Sequence, residues 1–448
     1  MEAIREPARD VPIIEDVDVC VVGGSCTGVF AAVRAARLGA RVAVVEKQNC
    51  FGGVAACGLV NVWHSLHDTR GERQIVAGLT SEVLGRLTGR DAVRRPDGKE
   101  LAAFLLNTEE LKIELDEIVK EAGIVPFLHT AFASVAMKNG RLEAVFVEGK
   151  SGRGAVRARV FIDATGDGDV CVRAGLPFEL PAHRQPPTTC AKIHGLSGLG
   201  RGVFKGLVHE HRREFGLEAD WGWGGPIPGV DDVDFHADSH VFNVNCADGR
   251  QLTWSEMEGR RQVRATMDAL RKYGPPGIRP VLLALPSYIG IRETRHIRCR
   301  RRLTGGELLA GRRFDDAIAN GTYPVDVHHD DRPGLTFKYL DGTQRSSRDG
   351  FPDEMGRWRP ETAEDPTFYQ IPFSALVPEG IDNLLAAGRM LDADRDAYGA
   401  VRVMVNTNQT GEAAGVAAAL ALSKGNAFHG VDARDLRRKL VEGGSIVP

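Results

Sequence analysis

Long apolar runs are missing from this chain. No stretch of 18 or more apolar residues occurs in its 448, so no segment reads as a membrane-spanning helix. The N-terminal MEAIREPARDVP is charged and has no apolar core, so it does not read as a secretory signal. An excess of one charge sign is also missing. Lys and Arg number 57 against 60 Asp and Glu, for a net charge of -3, which gives no reason to expect nucleic acid or an anionic membrane as partner. The cluster Arg298, Arg300, Arg301 and Arg302 reads as a solvated or ion-paired face. The eight cysteines (20, 26, 50, 57, 171, 190, 246 and 299) contain no CxxC pair, so spacing suggests neither a zinc ribbon nor an iron–sulfur cluster. Cys20 and Cys171 sit in apolar contexts and read as small core residues. Together these absences describe a soluble, cytoplasmic protein. Its length, with 43% hydrophobic residues, exceeds what one core usually holds, and two domains are expected.

What is present begins at residue 17. Val19–Val22 is a short, mostly β-branched run, as a parallel strand buried on both faces requires. Gly23-Gly24-Ser25-Cys26-Thr27-Gly28 turns the chain into a helix carrying Ala31, Ala32, Ala35 and Ala36, small enough to pack tightly on a sheet, and Gly39 ends it. A second apolar run, Val42 to Val45, leads to Glu46, about 20 residues beyond the turn, where a carboxylate can accept hydrogen bonds from a ribose. This is the order of a dinucleotide-binding fingerprint with one departure. Ser25 stands where the middle glycine would let the backbone approach a pyrophosphate. Its hydroxyl can donate to a phosphate oxygen, while the helix N-terminus supplies amides and positive dipole character.

The loop from Lys47 to Leu59 is apolar and glycine-rich, with Cys50 and Cys57 bracketing Gly52-Gly53. Disulfide reductases follow a paired glycine with two redox cysteines. Here six residues separate the pair and one cysteine precedes the glycines, which argues against a redox disulfide. At this loop the chain resembles the FAD-dependent oxidoreductase family. These flavoproteins share the glutathione-reductase-like fold and are distantly similar to the fumarate reductase and succinate dehydrogenase flavoproteins. The resemblance continues through Val62-Trp63-His64-Ser65-Leu66 and residues 71–79 to cover nearly the whole chain. It implies that Gly52, Gly53 and Val54 pass beside the flavin ring, with Lys47 among the cofactor contacts. His64, just beyond, can protonate substrate, hydrogen-bond the flavin or carry a covalent flavin link; alternatively it is a structural histidine held by a backbone carbonyl.

Residues 80–125 read as helices separated by a polar RRPDGKE linker, the second capped by Thr108 and packing Leu111, Leu115, Ile118 and Val119. A strand over 125–129 follows, and the resemblance places the Thr130-Ala131-Phe132 backbone against the adenine. Asn139-Gly140 marks a hairpin. A second cofactor motif, Ala164-Thr165-Gly166, ends the apolar strand at 160–163; its small side chains leave room for the cofactor's middle portion, and the family carries the same sequence.

Residues 176–365 are irregular, with PAHRQPPTT, DWGWGGPIPG and KYGPPGIRP, and mark an inserted substrate domain. Asp234, His236, Asp238 and His240 alternate and would share one side of a strand, either as metal ligands or, more simply, as a polar solvent-facing edge. Residues 241–245 resemble a strand of the family's substrate-domain sheet, and a helix begins near Trp254 with Thr253 or Ser255 as cap. Gly290-Ile291-Arg292-Glu293-Thr294-Arg295 matches a family signature. Arg292 or Arg295 can bind a carboxylate or stabilise oxyanion charge beside the flavin; the alternative is an Arg–Glu–Arg network locking two domains. His328 and His329 are further candidates to face substrate.

The chain returns to the cofactor at residues 366–430, where Gly388-Arg389 closes a strand and Arg402, Val403 and Met404 open a small-residue helix. By resemblance this helix aims its N-terminus at the flavin's pyrimidine edge, favouring the charge of the reduced cofactor. Tyr398, where the family often carries a smaller residue, is expected to shape substrate choice.

The expected architecture is α/β. A Rossmann-like FAD-binding domain of glutathione-reductase type comprises residues 16–175 and 366–430, with an inserted α+β substrate domain at 176–365 and a C-terminal tail at 431–448. The expected function is exchange of a hydride between FAD and a small organic substrate, with catalytic residues His64, Arg292 and Tyr398. No second fingerprint follows a later strand, so oxygen, a quinone or a redox protein is the electron partner to consider. The AGR closing motif argues against the aromatic hydroxylases. An electron-transferring flavoprotein subunit of a larger complex is the alternative, and the reading leaves room for a homo-oligomer.

Overall fold

In the computed structural model, residues 2–95, 102–196, 198–218, 222–348 and 350–447 are described. Most of the RRPDGKE linker, and the Asp220-Trp221 start of the DWGWGG stretch, lie outside the described residues. The chain opens with β1 (Ile13–Val22), α1 (Cys26–Arg37) and β2 (Val42–Val45). Helix α2 (Thr108–Glu121) then leads to β3 (Val125–Phe127), β4 (Ala131–Lys138), β5 (Arg141–Gly149) and β6 (Gly152–Asp163). β1 pairs in parallel with β2 on one side and β6 on the other, and its last four residues are buried. A strand with neighbours on both edges and layers on both faces has no wet side, so it shows no alternation. β3 extends the parallel sheet beyond β2, and Leu384–Ala386 extends it beyond the end of β6. The first half of β6 instead continues into an antiparallel meander with β5 and β4. Its tight turn is Asn139-Gly140, at φ 51° and 74°, the positive pair that a two-residue hairpin prefers.

The glycine turn between β1 and α1 is forced by contact. Gly23 adopts φ 103°, and a Cβ there would overlap the backbone of Ala164 at the end of β6. Ser25 caps α1, its Oγ accepting the Gly28 N–H at 3.3 Å. Helix α2 is capped by Asn107, not Thr108, because the amide oxygen of Asn107 reaches the Glu109 N–H at 3.1 Å and Thr108 is already in the first turn. The anticipated apolar face is right: Leu111, Leu115, Ile118 and Val119 are all buried.

Among the described residues, the middle of the chain builds two four-stranded antiparallel sheets. In one, β9 (Val233–Ala237) lies between β8 (Trp223–Pro226) and β7 (Ala191–His194), with β10 (Val281–Ala284) beyond β7. The other stacks β11 (Val325–His328), β12 (Leu335–Lys338), β13 (Thr343–Ser347) and β14 (Glu354–Arg357) in sequence order. Helix α3 (Gly249–Tyr273) starts earlier than its sequence suggests, because the Asp248 carboxylate accepts the Arg250 and Gln251 N–H groups at 3.1 and 2.9 Å. Residues 241–245 form no strand. Pro187 O takes the Val241 N–H at 3.1 Å and the Gln251 side chain takes the Asn245 N–H at 2.8 Å, so amides that a ladder would use are satisfied locally.

The alternating Asp234, His236, Asp238 and His240 do not face solvent as a row. β9 is an inner strand; His236 and His240 are buried, and Arg201 forks onto Asp238, with His236 Nδ1 3.1 Å from the same carboxylate. Burial opposes the charge on Asp238, but Arg201 and His236 hold its carboxyl down at about 2. Among the described residues no group of three or more His, Cys, Asp or Glu is arranged to hold a metal ion. Nor is any described helix long and apolar enough to cross a membrane.

The last elements are α4 (Arg395–Val401), α5 (Met404–Leu422) and α6 (Ala433–Glu442). α5 crosses α1 with the backbones touching: a Cβ at Gly411 would overlap the Thr27 carbonyl, and one at Gly415 the Ala31 carbonyl. At this crossing Arg34 of α1 meets Glu412 of α5, Nε to Oε2 at 2.8 Å, and the other carboxylate oxygen takes the Leu79 N–H at 3.0 Å. Ser445 Oγ adds a third donor at 3.1 Å. The C-terminal segment is thus packed in place, with Leu436 and Leu440 of α6 wholly buried.

Removing one partner of a buried, fully bonded ion pair strands the other charge. Arg34→Met should lower stability by about 3–5 kcal/mol, with Arg34→Met/Glu412→Gln recovering a large part of that loss. Urea unfolding of the three proteins checks this; additive losses in the double variant would remove the pair from the account.

Candidate active site

Three parallel strands, β1, β2 and β6, deliver their C-terminal ends to one place, the position where open α/β sheets hold ligands. A cavity of about 250 Å³ lies there. Its walls include Gly23, Ser25, Cys26 and Thr27 from the glycine turn, Glu46 and Lys47 beyond β2, and Gly52, Gly53 and Val54 from the loop. Phe132, then Ala164, Thr165 and Gly166, then Gly388 and Arg389, and finally Arg402 and Met404 complete it. Residues far apart in sequence therefore share one cleft because the strands that carry them are neighbours.

Ser25 caps α1 with an Oγ lone pair, so the cap does not consume its O–H proton, which lies toward the Ala164 carbonyl at 3.4 Å. One detail of the glycine turn differs from expectation. Gly28 does not line the cavity; it is there because a Cβ would overlap the Gly23 carbonyl, so it allows close packing and not ligand contact. Glu46 is buried, and its two oxygens accept the Gly24 N–H at 2.7 Å and the Gln48 N–H at 2.8 Å. The carboxylate thus braces the turn from which α1 springs and still has lone pairs facing the cleft.

Asp163, unremarked in the sequence, organises the Ala164-Thr165-Gly166 turn. Its carboxylate accepts from the Thr165 N–H and hydroxyl at 3.1 and 2.7 Å, and from the Val170 and Cys171 N–H groups at 2.9 and 3.0 Å. The signal for it was an acid terminating an apolar strand. Asp167 forms a second acidic anchor, 2.6 Å from Arg389 and hydrogen-bonded by the Thr294 hydroxyl at 2.7 Å.

A second cavity of about 310 Å³ adjoins the first and shares Val54, Ile291, Arg389, Arg402 and Met404 with it. Its remaining walls are mostly apolar, with Val60, Val62, Trp223, Ala237 and Val403, and they hold His64, Arg292, Tyr323, Asp326 and His328. His64 lies 4.0 Å from Tyr323, centroid to centroid. The Tyr323 hydroxyl donates to Asp326 Oδ2 at 2.7 Å, and Arg402 pairs with the same oxygen at 3.0 Å. Burial, with Arg402 close by, pushes the His64 imidazole down to about 3. Burial, with Arg292 next in effect, also holds His328 well below the ordinary histidine range. Both shifts favour the neutral imidazole.

The other candidates separate. Arg292 donates to the Pro186 carbonyl at 2.7 Å and to the Thr188 hydroxyl, on the wall of the second cavity. Arg295 turns away, to Asp169 at 2.8 Å and the Asp167 carbonyl at 3.0 Å. The Arg–Glu–Arg network does not form, because Glu293 takes the Gln185 N–H at 2.9 Å and faces His296 at 3.1 Å. Tyr398 is not a cavity residue. It is wholly buried, stacks on His296 at 4.1 Å and donates to the Arg292 carbonyl at 2.9 Å, which makes it a support behind Arg292. His329 faces Thr336 at 3.1 Å.

A family model described as FAD dependent oxidoreductase matches residues 18–440. The chain belongs to this family. It is accordingly an enzyme, and FAD is its cofactor. No curated protein matches it. Among solved structures, it is similar to a geranylgeranyl bacteriochlorophyll reductase-like protein from Thermoplasma acidophilum, at 12% identity over 96% of this chain and 84% of that one, with a TM-score of 0.48. It is also similar to a flavin-dependent brominase triple mutant, at 11% identity over 96% and 85% with a TM-score of 0.47. A third is p-nitrophenol 4-monooxygenase from Pseudomonas putida DLL-E4, at 15% identity over 64% and 70% with a TM-score of 0.41. Likenesses this distant say nothing of the reaction.

The first cavity suits FAD on its own chemistry. Asn408 Oδ1 and Arg402 Nε are buried on its walls without a hydrogen-bond partner among the described residues. Helix α5 also begins there with no side-chain cap; its Asn406 and Thr407 N–H groups reach the Val403 carbonyl at 3.0 and 3.1 Å, and those of Met404 and Val405 are the ones a ligand can satisfy. An acceptor, a charged donor and a helix N-terminus around one cleft match a large, anionic, multiply hydrogen-bonding cofactor.

Two outcomes follow from these positions. Glu46→Ala, by removing a charged acceptor that also braces the turn, should weaken FAD binding by about 1.5–3 kcal/mol, read by fluorescence titration of the stripped protein. Between about pH 6.5 and pH 3 the unfolded chain takes up a proton at His64 that the native chain refuses, so acidification through that window removes stability. His64→Gln should therefore shrink the fall in Tm between about pH 7.5 and pH 5; an unchanged fall would contradict a neutral His64.

Proposed function

We propose that this enzyme exchanges a hydride between FAD and a small organic substrate held in the second cavity. The observation that carries the reading is the junction of the two cavities at Val54, Ile291, Arg389, Arg402 and Met404. A cleft walled by the glycine turn and Glu46 opens there onto a mainly apolar chamber of about 310 Å³, within the range of small-ligand sites. The sheet order, five parallel strands with an antiparallel meander, supports assigning the cofactor domain to the glutathione-reductase type. The two antiparallel sheets of the middle region support reading residues 176–365 as the substrate domain.

Bound FAD supplies two-electron redox chemistry, taking a hydride from a substrate or returning one. The protein's own part is placement and electrostatics. Val60, Val62 and Trp223 give the chamber apolar walls, against which a bound substrate displaces water and so strengthens its polar contacts. Arg292, oriented by the Pro186 carbonyl and by Tyr398 behind it, puts a fixed positive charge on the wall, suited to a substrate carboxylate or developing oxyanion. Arg402 is neutralised by Asp326 at 3.0 Å and so contributes direction more than net charge. Neutral His64 offers one ring nitrogen as donor and the other as acceptor, and so orients a substrate hydroxyl or carbonyl without competing for the anion.

Anaerobic mixing of the FAD-loaded enzyme with classes of hydroxy, amino and unsaturated carboxylic acids tests this. Bleaching of the flavin by one class, with reoxidation then followed in oxygen, quinone or a redox protein, supports it and names the electron partner. Failure of every small molecule, with bleaching by a reduced redox protein alone, would overturn it. Arg292→Lys keeps the charge but loses the fork. It should cut kcat/KM about 10–100-fold with FAD content unchanged, read by steady-state kinetics beside the visible spectrum.

A further inference from the structure

The loop that carries Gly52 and Gly53 holds two thiols that the redox reading above does not use. Cys50 Sγ and Cys57 Sγ lie 3.5 Å apart. Both are free and buried, at 8% and 3% exposure, in a small cluster with Ala56 and Tyr288. Cys57 stands on the wall of the first cavity. The loop around them is pinned on two sides. The Gly52 N–H donates to the Gly24 carbonyl at 2.8 Å, and the Ser287 N–H donates to the Cys57 carbonyl at 3.0 Å. The Cys57 N–H in turn reaches the Gly53 carbonyl at 2.7 Å. The spacing in sequence argues against a redox pair, yet the turn at the two glycines folds the loop back and brings the sulfurs into contact.

We propose that Cys50 and Cys57 form a reversible dithiol–disulfide modification site on the cofactor loop, with hydrogen peroxide as its oxidant. The two thiols are not equivalent. The hydrogen bond from Cys57 lowers the Cys50 thiol against the effect of burial, with Lys112 assisting, while the same contact and burial push Cys57 up. Cys50 is therefore the attacking thiolate and Cys57 the resolving thiol. The Cys50 sulfur attacks one peroxide oxygen, the O–O bond breaks, and Cys50 becomes a sulfenic acid with release of hydroxide. The Cys57 sulfur then attacks Cys50, the S–S bond forms, the S–O bond breaks, and the departing hydroxide takes the Cys57 proton as water. The two thiols lose two electrons and the peroxide leaves as two waters once the first hydroxide is protonated. A dithiol reductant reverses the change.

The site is independent of which substrate the second cavity binds, so its test needs no turnover. The FAD-loaded protein is treated with an equimolar dose of hydrogen peroxide, denatured in an alkylating reagent and analysed by peptide mass. The expected result is loss of two hydrogens across Cys50 and Cys57, with neither sulfur alkylated, restored by dithiothreitol. In Cys57→Ser, dimedone should trap a sulfenic acid at Cys50; in Cys50→Ser, Cys57 should stay reduced. Full alkylation of both sulfurs in the treated wild-type protein, or their separate conversion to sulfinic acids, would overturn the proposal even if neither variant folds.

Discussion

The close crossing of α1 and α5 is the constraint from which the site follows. Gly411 and Gly415 let the α5 backbone rest on the Thr27 and Ala31 carbonyls, and Arg34 and Glu412 tie the crossing with a buried, multiply bonded pair. Each helix starts at the cofactor cleft, α1 from the glycine turn and α5 from Val403. Fixing their crossing therefore fixes two helix N-termini relative to each other, and with them the positive ends that a dinucleotide needs. A larger side chain anywhere along that seam would separate the helices and open the cleft between the first and last thirds of the chain.

Charge is partitioned between the two cavities by pairing. Around the first cavity Glu46 and Asp163 spend their oxygens on backbone amides and the Thr165 hydroxyl, and so shape turns. Arg389 is matched by Asp167 and Arg402 by Asp326 at the junction. On the apolar side the two histidines are kept neutral by burial, with Arg402 or Arg292 reinforcing it. The result is a chamber in which Arg292 donates to the Pro186 carbonyl and the Thr188 hydroxyl, while the neighbouring arginines are matched by acids.

The loop over residues 47–59 joins these regions. It crosses from the acid at the end of β2, past the cleft, to Val54, which both cavities share. Its contact with Ser287 links it to the segment that carries Arg292. Cys57 lines the first cavity and Val54 lines both, so a change of state at Cys50 and Cys57 would reach the first cavity directly and the second through Val54.

The local features of the cofactor domain were legible in the residues themselves. Apolar runs of four residues, a glycine turn and an acid at the right distance determine a βαβ unit, because a parallel strand buried on both faces and a tight turn each admit few residue types. The alanine and glycine content of 411–421 likewise marked a small-residue helix; that α1 lies against it is a tertiary fact. Tertiary structure alone decided which polar residues face the cleft. Tyr398 and Arg295 were turned away and His64 and Arg292 brought together, because which side of a loop or short helix is open depends on neighbours far off in the chain. The same holds for β9, whose alternation reads as a wet edge but whose His236 is covered by Phe204, ring centroids 4.5 Å apart, with Arg201 on the neighbouring Asp238. It holds equally for Cys50 and Cys57, where a turn converts an unpromising spacing into sulfur contact. Periodicity and turn chemistry are properties of a segment, whereas burial and partnership are properties of the assembled chain.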